Sequence, residues 1–236
     1  MTIPLSSPAG VCVSVACDKV TEAVAIAKGA EHDADVIEIR LDGLSQPEIE
    51  PFVKNLSKPL LFTNRPDWEG GAFRGSEAAR IGQLLQAITH GCALVDLELK
   101  AAPELRAEIL DALLQESRTG LIISWHDFSA TPANEELGDI LQQQMESGAH
   151  IGKIVTTAND YRDVLRVLNL QVIAAENNFP LIAFCMGEIG RISRLATTKL
   201  GGFMTYAAPD GEKAAAPGQI PVSVMRDILS RLDHAD

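Results

Sequence analysis

Residues 121–156, LIISWHDFSATPANEELGDILQQQMESGAHIGKIVT, contain one complete strand–helix–strand unit. The runs 121–126 and 151–156 are almost wholly apolar, as strands covered on both faces usually are. Between them the apolar residues recur at the spacing of one helical face, namely Leu137, Ile140, Leu141 and Met145. Two buried strands joined by an amphipathic helix predict a parallel pair. The helix carries the chain back to the sheet edge at which the first strand began, so the second strand runs in the same direction.

The same alternation extends in both directions along the chain. Six further strands are predicted, at residues 11–17, 35–41, 59–64, 93–99, 179–186 and 203–207. Eight strand–helix units in 236 residues fit an α/β fold of the closed (β/α)8 or TIM-barrel type, which takes about 250 residues. A doubly wound open sheet is the alternative, but residues 17–20 lack the glycine fingerprint expected after its first strand. We therefore predict one catalytic barrel domain over residues 1–236.

Capping residues predict where some of the helices begin. Asp18, Ser76 and Asn159 each precede an apolar helical stretch and are expected to be N-caps, because their side-chain oxygens can accept from free backbone N–H groups. Pro51 is expected to interrupt a short acidic helix that follows the second strand.

Composition limits the partners and the compartment. The net charge of −12 and the isoelectric point of about 4.8 argue against nucleic acid or a membrane surface as a partner, but not against a small anion held by local arginines. The first ten residues, MTIPLSSPAG, have neither the charge nor the apolar run of a signal peptide, and no apolar segment is long enough to span a bilayer. Reduced thiols and a cytoplasmic location are expected, because no CxxC spacing occurs among Cys12, Cys17, Cys92 and Cys185.

Polar residues end several of the predicted strands. They are Glu38, Arg40, Arg65, Glu98, His126 and Lys153. Charged side chains are rare on core-facing strands, and active sites of this fold lie at the carboxyl ends of the strands. The sequence therefore predicts that these side chains converge on one pocket.

Lys153 and His126 indicate the chemistry of that pocket. Lys153 interrupts the apolar run 151–155, where an ammonium group is costly unless it is paired or neutral. A desolvated lysine is the usual nucleophile for forming an imine with a ketone. A histidine on the preceding strand can move protons at neutral pH, so the pair predicts Schiff-base chemistry.

Longer motifs join these two residues. They are Glu38-Ile39-Arg40-Leu41-Asp42, Arg65-Pro66-Asp67-Trp68-Glu69-Gly70-Gly71, Ser124-Trp125-His126-Asp127-Phe128, Gly190-Arg191-Ile192-Ser193-Arg194-Leu195 and Ala216-Pro217-Gly218-Gln219-Ile220. In this order and at this spacing they resemble the type I 3-dehydroquinate dehydratases, or 3-dehydroquinases, over nearly the whole chain. The resemblance implies a (β/α)8 barrel of the shikimate pathway that converts 3-dehydroquinate to 3-dehydroshikimate by syn elimination, without metal or cofactor.

The resemblance also implies a role for each residue. Lys153 matches the imine-forming lysine, His126 the proton-transferring histidine, and Glu69 the carboxylate beside that histidine. The expected substrate-binding residues are Ser14, Glu38, Arg40, Arg65, Phe128, Met186, Arg194 and Gln219, with Arg194 matching the arginine that binds the substrate carboxylate. Dimers are common in this family, so a homodimer is the assembly that the resemblance implies.

One position departs from the family pattern. The family usually has a serine two residues before the proline of its Pro-Gly-Gln motif, and this chain has Ala215 there. Weaker substrate binding is expected, because one hydroxyl that should contact the substrate is missing. The polar loop 209–213 is expected to be a mobile lid.

Structural roles stay open for some of these residues. Glu38 and Arg40 also fit an ion pair at the barrel mouth, and Lys153 fits a rim lysine that reaches water. Glu98 is expected to be a pocket-rim or a structural carboxylate. The remaining histidines are expected to be non-catalytic, and no metal-ligand spacing occurs among them: His32, His90, His150 and His234.

Two other functions are considered. A class I aldolase on the same fold would also use a barrel lysine, but such enzymes often carry a glycine-rich phosphate site near the seventh and eighth strands. Here Gly201-Gly202 precedes the eighth strand instead of following it. A catalytically silent barrel retained for ligand binding is the other alternative, and only Ala215 favours it.

Overall fold

The computed structural model describes residues 10–116 and 118–233. Strands and helices alternate along them: β1 (Gly10–Val15), α1 (Val20–Ala30), β2 (Val36–Arg40), α2 (Glu50–Asn55), β3 (Leu60–Thr63), α3 (Glu77–Thr89), β4 (Leu94–Glu98), α4 (Pro103–Gln115), β5 (Gly120–His126), α5 (Asn134–Glu146), β6 (Ile151–Thr157), α6 (Tyr161–Glu176), β7 (Leu181–Met186), α7 (Gly187–Lys199), β8 (Met204–Ala207) and α8 (Val222–Asp233). Short 3-10 helices, Leu41–Gly43 and Asp67–Glu69, follow β2 and β3. The strand bounds lie within two residues of the predicted ones.

The eight strands form one parallel sheet that curls into a nearly closed barrel. Their order is β7-β6-β5-β4-β3-β2-β1-β8, so the first strand pairs with both the second and the eighth. At the remaining seam the Phe203 N–H donates to the Leu181 carbonyl at 2.8 Å, which links the start of β8 to β7. The predicted (β/α)8 barrel is therefore confirmed, and the doubly wound open sheet is wrong.

The barrel interior is built in layers, because side chains two positions apart on a strand share a face. The lower layer is apolar and buried, and includes Cys12, Val36, Leu61, Leu94, Ile122, Ile151, Ile182 and Met204. Two positions later along the same strands stand Ser14, Glu38, Thr63, Asp96, Ser124, Lys153, Phe184 and Tyr206. The apolar layer thus seals the bottom of the barrel, and a mostly polar layer lies on top of it, facing the carboxyl ends of the strands.

The opposite strand faces pack against the helices. Ile37 and Ile39 of β2 are fully buried in a cluster that includes Ala23 and Ala27 of α1 and Phe52 of α2. Burial of this kind contributes about 25 cal/mol per Å² of apolar surface, so the packing of the helices on the strands stabilises the barrel. This shell fixes the strands and hence the positions of the polar side chains at their ends.

The predicted N-caps are partly confirmed. Ser76 caps α3, and its hydroxyl accepts the Ala79 N–H at 3.2 Å. The prediction for α6 is wrong by one residue, because Asp160, not Asn159, precedes the helix and forms a capping box with Asp163. An aspartate at that position accepts two N–H groups of the first turn, which Asn159 is one residue too early to reach.

Two further predictions about helix starts are wrong. The N-cap of α1 is Lys19, whose side chain makes no capping hydrogen bond, and Asp18 stands one residue too far from the helix. Pro51 lies in the first turn of α2 and does not interrupt it. Proline is tolerated there, because the N–H that it lacks has no intrahelical acceptor at that position.

The cysteines form no disulfide. Cys12, Cys92 and Cys185 are buried, and Cys17 is partly exposed. In the described part of the chain, no helix combines the length and the apolar character needed to cross a membrane.

Candidate active site

The polar strand ends surround one pocket of about 720 Å³, including its open mouth. All the side chains predicted as catalytic or substrate-binding line it: Ser14, Glu38, Arg40, Arg65, Glu69, His126, Phe128, Lys153, Met186, Arg194 and Gln219. Their lining neighbours, which the sequence did not single out, include Thr63, Val155, Phe184 and Tyr206. The structure therefore brings the predicted residues together, and their individual roles stay predictions.

Lys153 lies at the base of this pocket and is 5% exposed. Its Nζ donates to Asp96 Oδ2 at 2.9 Å and lies 3.9 Å from Glu38 Oε1. The ring of Tyr206 faces the same Nζ, with its centroid 4.4 Å away. The alternative of a rim lysine that reaches water is wrong, because the amine is enclosed by two carboxylates and an aromatic ring.

Asp96 is a residue that sequence reasoning missed. It is fully buried on β4, and its second oxygen accepts from Arg65 Nη2 at 2.6 Å and from the Ser124 hydroxyl at 2.6 Å. Burial acts to raise the pKa of Asp96, but the Arg65 and Lys153 cations outweigh it and hold that pKa below its usual range. Asp96 therefore stays ionised and ties Lys153 to Arg65. The available signal was its position two residues before Glu98, on the same strand face.

Glu38 and Arg40 do not form the ion pair that was considered for them. Glu38 accepts hydrogen bonds from the hydroxyls of Ser14 and Thr63, the latter at 2.8 Å. Arg40 instead binds Asp42 with two hydrogen bonds of 2.8 and 2.6 Å. The structural ion pair is wrong, because the 3-10 helix that begins at Leu41 brings the Asp42 carboxylate next to the guanidinium.

His126 and Glu69 form a hydrogen-bonded pair at the pocket wall. The Nδ1 of His126 lies 2.9 Å from Glu69 Oε1, and Phe128 stacks against the imidazole with ring centroids 6.0 Å apart. Burial raises the pKa of Glu69 to about 8, against the opposing effect of Arg65, whose Nη1 is 3.5 Å away. Burial, together with the Arg65 and Lys153 cations, lowers the pKa of His126 well below 6.5. The imidazole is therefore unprotonated at neutral pH, as a general base must be.

Arg194 is a buried cation on α7 with no acidic partner in the part of the chain that the structure describes. Its Nη2 donates to the Pro217 carbonyl at 3.1 Å, its guanidinium lies 4.4 Å from the centre of the Phe184 ring, and its Nε has no hydrogen-bond partner. Burial lowers the pKa of Arg194 to about 10. A buried charge without a counter-ion is costly, so this guanidinium is suited to an anionic ligand.

The segment 215–219 borders the pocket opposite the strands. Gln219 Oε1 accepts the N–H groups of Ala215 and Ala216 at 2.9 and 3.3 Å, which holds the side chain against its own loop. The predicted lid, loop 209–213, does not border this pocket, and Pro209 and Asp210 instead line a separate cleft beside α1. The role of this loop as a mobile lid stays a prediction.

Glu98 is wholly buried, so a place on the pocket rim is wrong and the structural alternative is correct. Its two oxygens accept from Arg65 Nη1 at 2.7 Å and from Arg80 Nη1. His32, His90 and His150 do not line the pocket, and His234 lies outside the described residues. Among residues 10–116 and 118–233, no group of three or more His, Cys, Asp or Glu side chains is arranged to hold a metal ion.

Comparison with known proteins identifies the family. The family model described as type I 3-dehydroquinase matches residues 11–236. This chain belongs to the type I 3-dehydroquinase family. Type I 3-dehydroquinases are carbon–oxygen lyases, so family membership argues against the class I aldolase alternative.

Members of the type I 3-dehydroquinase family align with this chain over most of their length. The 3-dehydroquinate dehydratase of Desulfotalea psychrophila is 50% identical over 198 residues, which is 84% of this chain and 87% of the relative. That of Methanococcus vannielii is 36% identical, over 94% of this chain and 100% of the relative. The structure of the Clostridium difficile type I enzyme, solved with covalently modified comenic acid, matches with a TM-score of 0.88 at 27% identity, and covers 100% of this chain and 96% of that one.

Proposed function

We propose that this chain dehydrates 3-dehydroquinate to 3-dehydroshikimate by a syn elimination through an imine on Lys153. The observation that carries the proposal is one pocket that contains a buried amine, a histidine–carboxylate pair and an arginine without an acidic partner among the described residues. These are the groups needed for a ketone, an acidic C–H bond and a carboxylate on one small substrate. Membership of the type I 3-dehydroquinase family supports the same substrate.

The first step forms the imine. The Nζ of Lys153 passes a proton to His126 and adds to the C3 ketone of the substrate. His126 returns the proton to the hydroxyl of the adduct, which leaves as water and gives an iminium ion. Asp96 and Glu38, at 2.9 and 3.9 Å from Nζ, are anions that stabilise the positive charge at this nitrogen. The Tyr206 ring below Nζ adds a favourable contact to a cation.

The second step is the elimination. The iminium withdraws electrons from C2, so His126 can remove a C2 proton to give an enamine. The enamine electrons expel the C1 hydroxyl, to which His126 returns the proton, and a water leaves. Glu69 orients the ring through Nδ1, and Nε2 makes no hydrogen bond to any described residue. Hydrolysis of the product imine by another water then releases 3-dehydroshikimate and the free lysine.

The third requirement is orientation of the substrate. Arg194 is positioned to bind the C1 carboxylate, because its charge lacks a counter-ion in the described chain and it lies on the wall formed by Phe184 and Pro217. Ser14, Glu38, Arg40, Arg65 and Gln219 offer polar groups to the ring hydroxyls. Phe128 and Met186 supply apolar contacts that hold the ring in place.

Borohydride trapping with 3-dehydroquinate tests the proposal. The protein is mixed with substrate and sodium borohydride, and its intact mass is measured while the enone absorbance of the product is followed. The wild type is expected to gain one reduced ligand and the Lys153→Ala variant none. Lys100→Ala is the matched control, since Lys100 also follows a barrel strand but is exposed and outside the pocket, and it should retain the adduct.

The outcomes separate the parts of the proposal. Enone formation without any adduct would mean dehydration by a route other than an imine. Neither adduct nor enone would refute the dehydratase and favour the catalytically silent barrel. A homodimer and a cytoplasmic location stay predictions, which sedimentation and fractionation would test.

A further inference from the structure

A chain of alternating charges runs from the pocket to the outside of the barrel. Lys153 pairs with Asp96, Asp96 with Arg65, Arg65 with Glu98, and Glu98 with Arg80. The outermost member, Arg80, stands on α3, does not line the pocket, and is 0% exposed. A fully buried arginine outside the substrate site requires an explanation, because burial of its charge is costly unless the charge serves its partners.

The contacts of Arg80 hold its guanidinium in one orientation. Its Nε and Nη2 donate to the two oxygens of Glu77 at 3.0 and 2.7 Å, and its Nη1 donates to Glu98 Oε2 and to the Asn64 carbonyl, the latter at 3.3 Å. The Trp68 ring lies 6.0 Å from the guanidinium carbon. Because Nε and Nη2 bind Glu77, Nη1 is directed inward to Glu98. Arg80 therefore acts on the site through the Glu98 carboxylate.

Glu98 in turn determines how the positive charge of Arg65 is shared among its carboxylate partners. Arg65 Nη1 lies 2.7 Å from Glu98 Oε1 and 3.5 Å from Glu69 Oε1, while its Nη2 binds Asp96. The two carboxylates Glu98 and Glu69 therefore compete for one edge of a single guanidinium. As long as Glu98 is an anion, it holds Arg65 and leaves Glu69 to His126.

We propose that Arg80 is a positioning residue of this active site: by pairing with Glu98 it keeps that carboxylate ionised, and so sets the charge balance between Arg65 and the Glu69–His126 pair. The catalytic part of this inference rests on the proposed dehydratase function. Its electrostatic part concerns only the groups of the free protein.

The charged groups around Glu98 support this role. Burial raises the pKa of Glu98, Arg65 and Arg80 act to lower it, and Asp96 acts to raise it further. Removal of Arg80 leaves a single cation against burial and Asp96, so Glu98 is expected to bind a proton. The Glu77 carboxylate then loses its arginine as well, but it is partly exposed and can be solvated.

The effect then passes to the catalytic pair. Burial and the charges of Glu98 and Asp96 raise the pKa of Glu69, and Arg65 and Lys100 lower it. A protonated Glu98 no longer repels the Glu69 carboxylate, so Glu69 ionises at lower pH.

An ionised Glu69, 2.9 Å from Nδ1, favours the imidazolium form of His126. It acts together with Asp96 and against burial, Arg65, Lys153 and Arg40, which lower the pKa of His126. The pKa of His126 is therefore expected to rise when Arg80 is removed.

The test measures that pKa directly, by NMR titration of the histidine ring signals, with the His126 signal assigned from a His126→Asn variant. Arg80→Met should raise the pKa of His126 by about one unit, and Arg80→Lys, which keeps a cation, should restore most of the wild-type value. Glu98→Gln, which imitates a protonated Glu98, should cause the same rise. The double variant should match Glu98→Gln alone, because Arg80 acts only through that carboxylate.

Arg166→Met is the matched control. Arg166 also stands on a barrel helix, pairs with a carboxylate, Asp163, and donates to a backbone carbonyl, that of Thr131, but it is not connected to the charge chain. It should lose stability and leave the His126 titration unchanged. In the active protein, the acid limb of kcat/KM, which reports the free enzyme, should move to higher pH by the same unit in Arg80→Met. This shift lowers kcat/KM about tenfold below that limb, with KM little changed.

Several results would overturn the inference. An unchanged His126 titration in folded Arg80→Met, or a double variant that shifts by the sum of its parts, would show that Arg80 only supports the fold. If Arg80→Met does not fold, Glu98→Gln with a wild-type His126 titration would refute the inference equally. Absence of turnover in the wild type would refute the dehydratase and leave the titration result standing.

Discussion

Replacement of Arg194 by methionine should stabilise the free protein and weaken substrate binding at the same time. Methionine matches the aliphatic stem of arginine and has no charge, but it is too short to replace the guanidinium at the Phe184 ring. The guanidinium is buried, has no acidic partner in the described chain, and makes one hydrogen bond of 3.1 Å to the Pro217 carbonyl. Such a group is expected to destabilise the protein without ligand and to strengthen the binding of an anion.

The magnitude follows from the pKa of Arg194. Burial lowers it from 12.5 to about 10, and at about 1.4 kcal/mol per unit this corresponds to a cost of about 3 kcal/mol for the charged form in the folded state. Loss of the hydrogen bond to Pro217 and of the cation–ring contact offsets about 1–2 kcal/mol of that gain. We therefore expect Arg194→Met to be more stable by about 1–2 kcal/mol, with a melting temperature higher by about 2–4 °C per kcal/mol.

The effect on catalysis has the opposite sign. A bidentate hydrogen bond between a guanidinium and a carboxylate, formed in a dry site, is worth about 2–4 kcal/mol. Its loss should lower kcat/KM for 3-dehydroquinate by about 30- to 1,000-fold. Most of this loss should appear in KM, because the carboxylate binds in the ground state as well as in the transition state.

The assay combines urea unfolding at pH 7 with steady-state kinetics from enone absorbance. Arg106→Met is the matched control, since Arg106 Nη2 also donates to a carbonyl, that of Leu99 at 2.7 Å, and its Nε also lacks a partner, but it lies outside the pocket. This control should leave KM unchanged. A destabilised Arg194→Met, or one with a wild-type KM, would refute the assignment of Arg194 as an anion site.

Two further predictions concern Glu69 and Ala215. Burial raises the pKa of Glu69 from 4.5 to about 8, so its contribution to stability is complete below pH 4.5 and is lost as the pH rises through 8. In the wild type, the free energy of unfolding should therefore fall by up to ~1.4 kcal/mol per pH unit between pH 5 and 8, and Glu69→Gln should remove this fall. Urea unfolding that shows the same pH dependence for both proteins across that window would contradict the prediction. Ala215→Ser adds a hydroxyl to the pocket wall and keeps the backbone N–H that binds Gln219, so KM should fall about three- to tenfold, an outcome that an equal or higher KM would exclude.

The barrel and its pocket were predictable because their signals are local and repeated. A buried parallel strand reads as an apolar run, and eight such runs separated by helical stretches leave few alternatives. Lys153 and Glu38 stood out because each is a charged residue within such a run. Strand alternation then places every such break on the pocket side, which is why residues far apart in sequence proved to be neighbours.

Asp96 and Arg80 were not predictable from the same signals. Asp96 breaks its strand as Glu98 does, but sequence gives only the face of a strand and not the distance across a barrel, so nothing linked it to Lys153. Arg80 follows Glu77 at the spacing typical of an exposed helical ion pair, and two of its three guanidinium nitrogens do bind Glu77. Only the packing of α3 against the strands reveals that its remaining nitrogen binds a fully buried carboxylate.

The charge balance of the site explains how a chain with a net charge of −12 can receive an anion. The cations in and below the pocket are Arg40, Arg65, Arg80, Lys153 and Arg194, and the anions that face them are Glu38, Asp42, Asp96 and Glu98, with Glu69 held neutral at pH 7 by its raised pKa. Four of the five cations are thus engaged by carboxylates, with Arg80 bound by Glu77 as well as by Glu98, and Arg194 is the cation without an acidic partner in the described chain. The acidic surface slows the approach of an anion, but Arg194 presents a guanidinium without an acidic partner in the described chain, which one substrate carboxylate can neutralise.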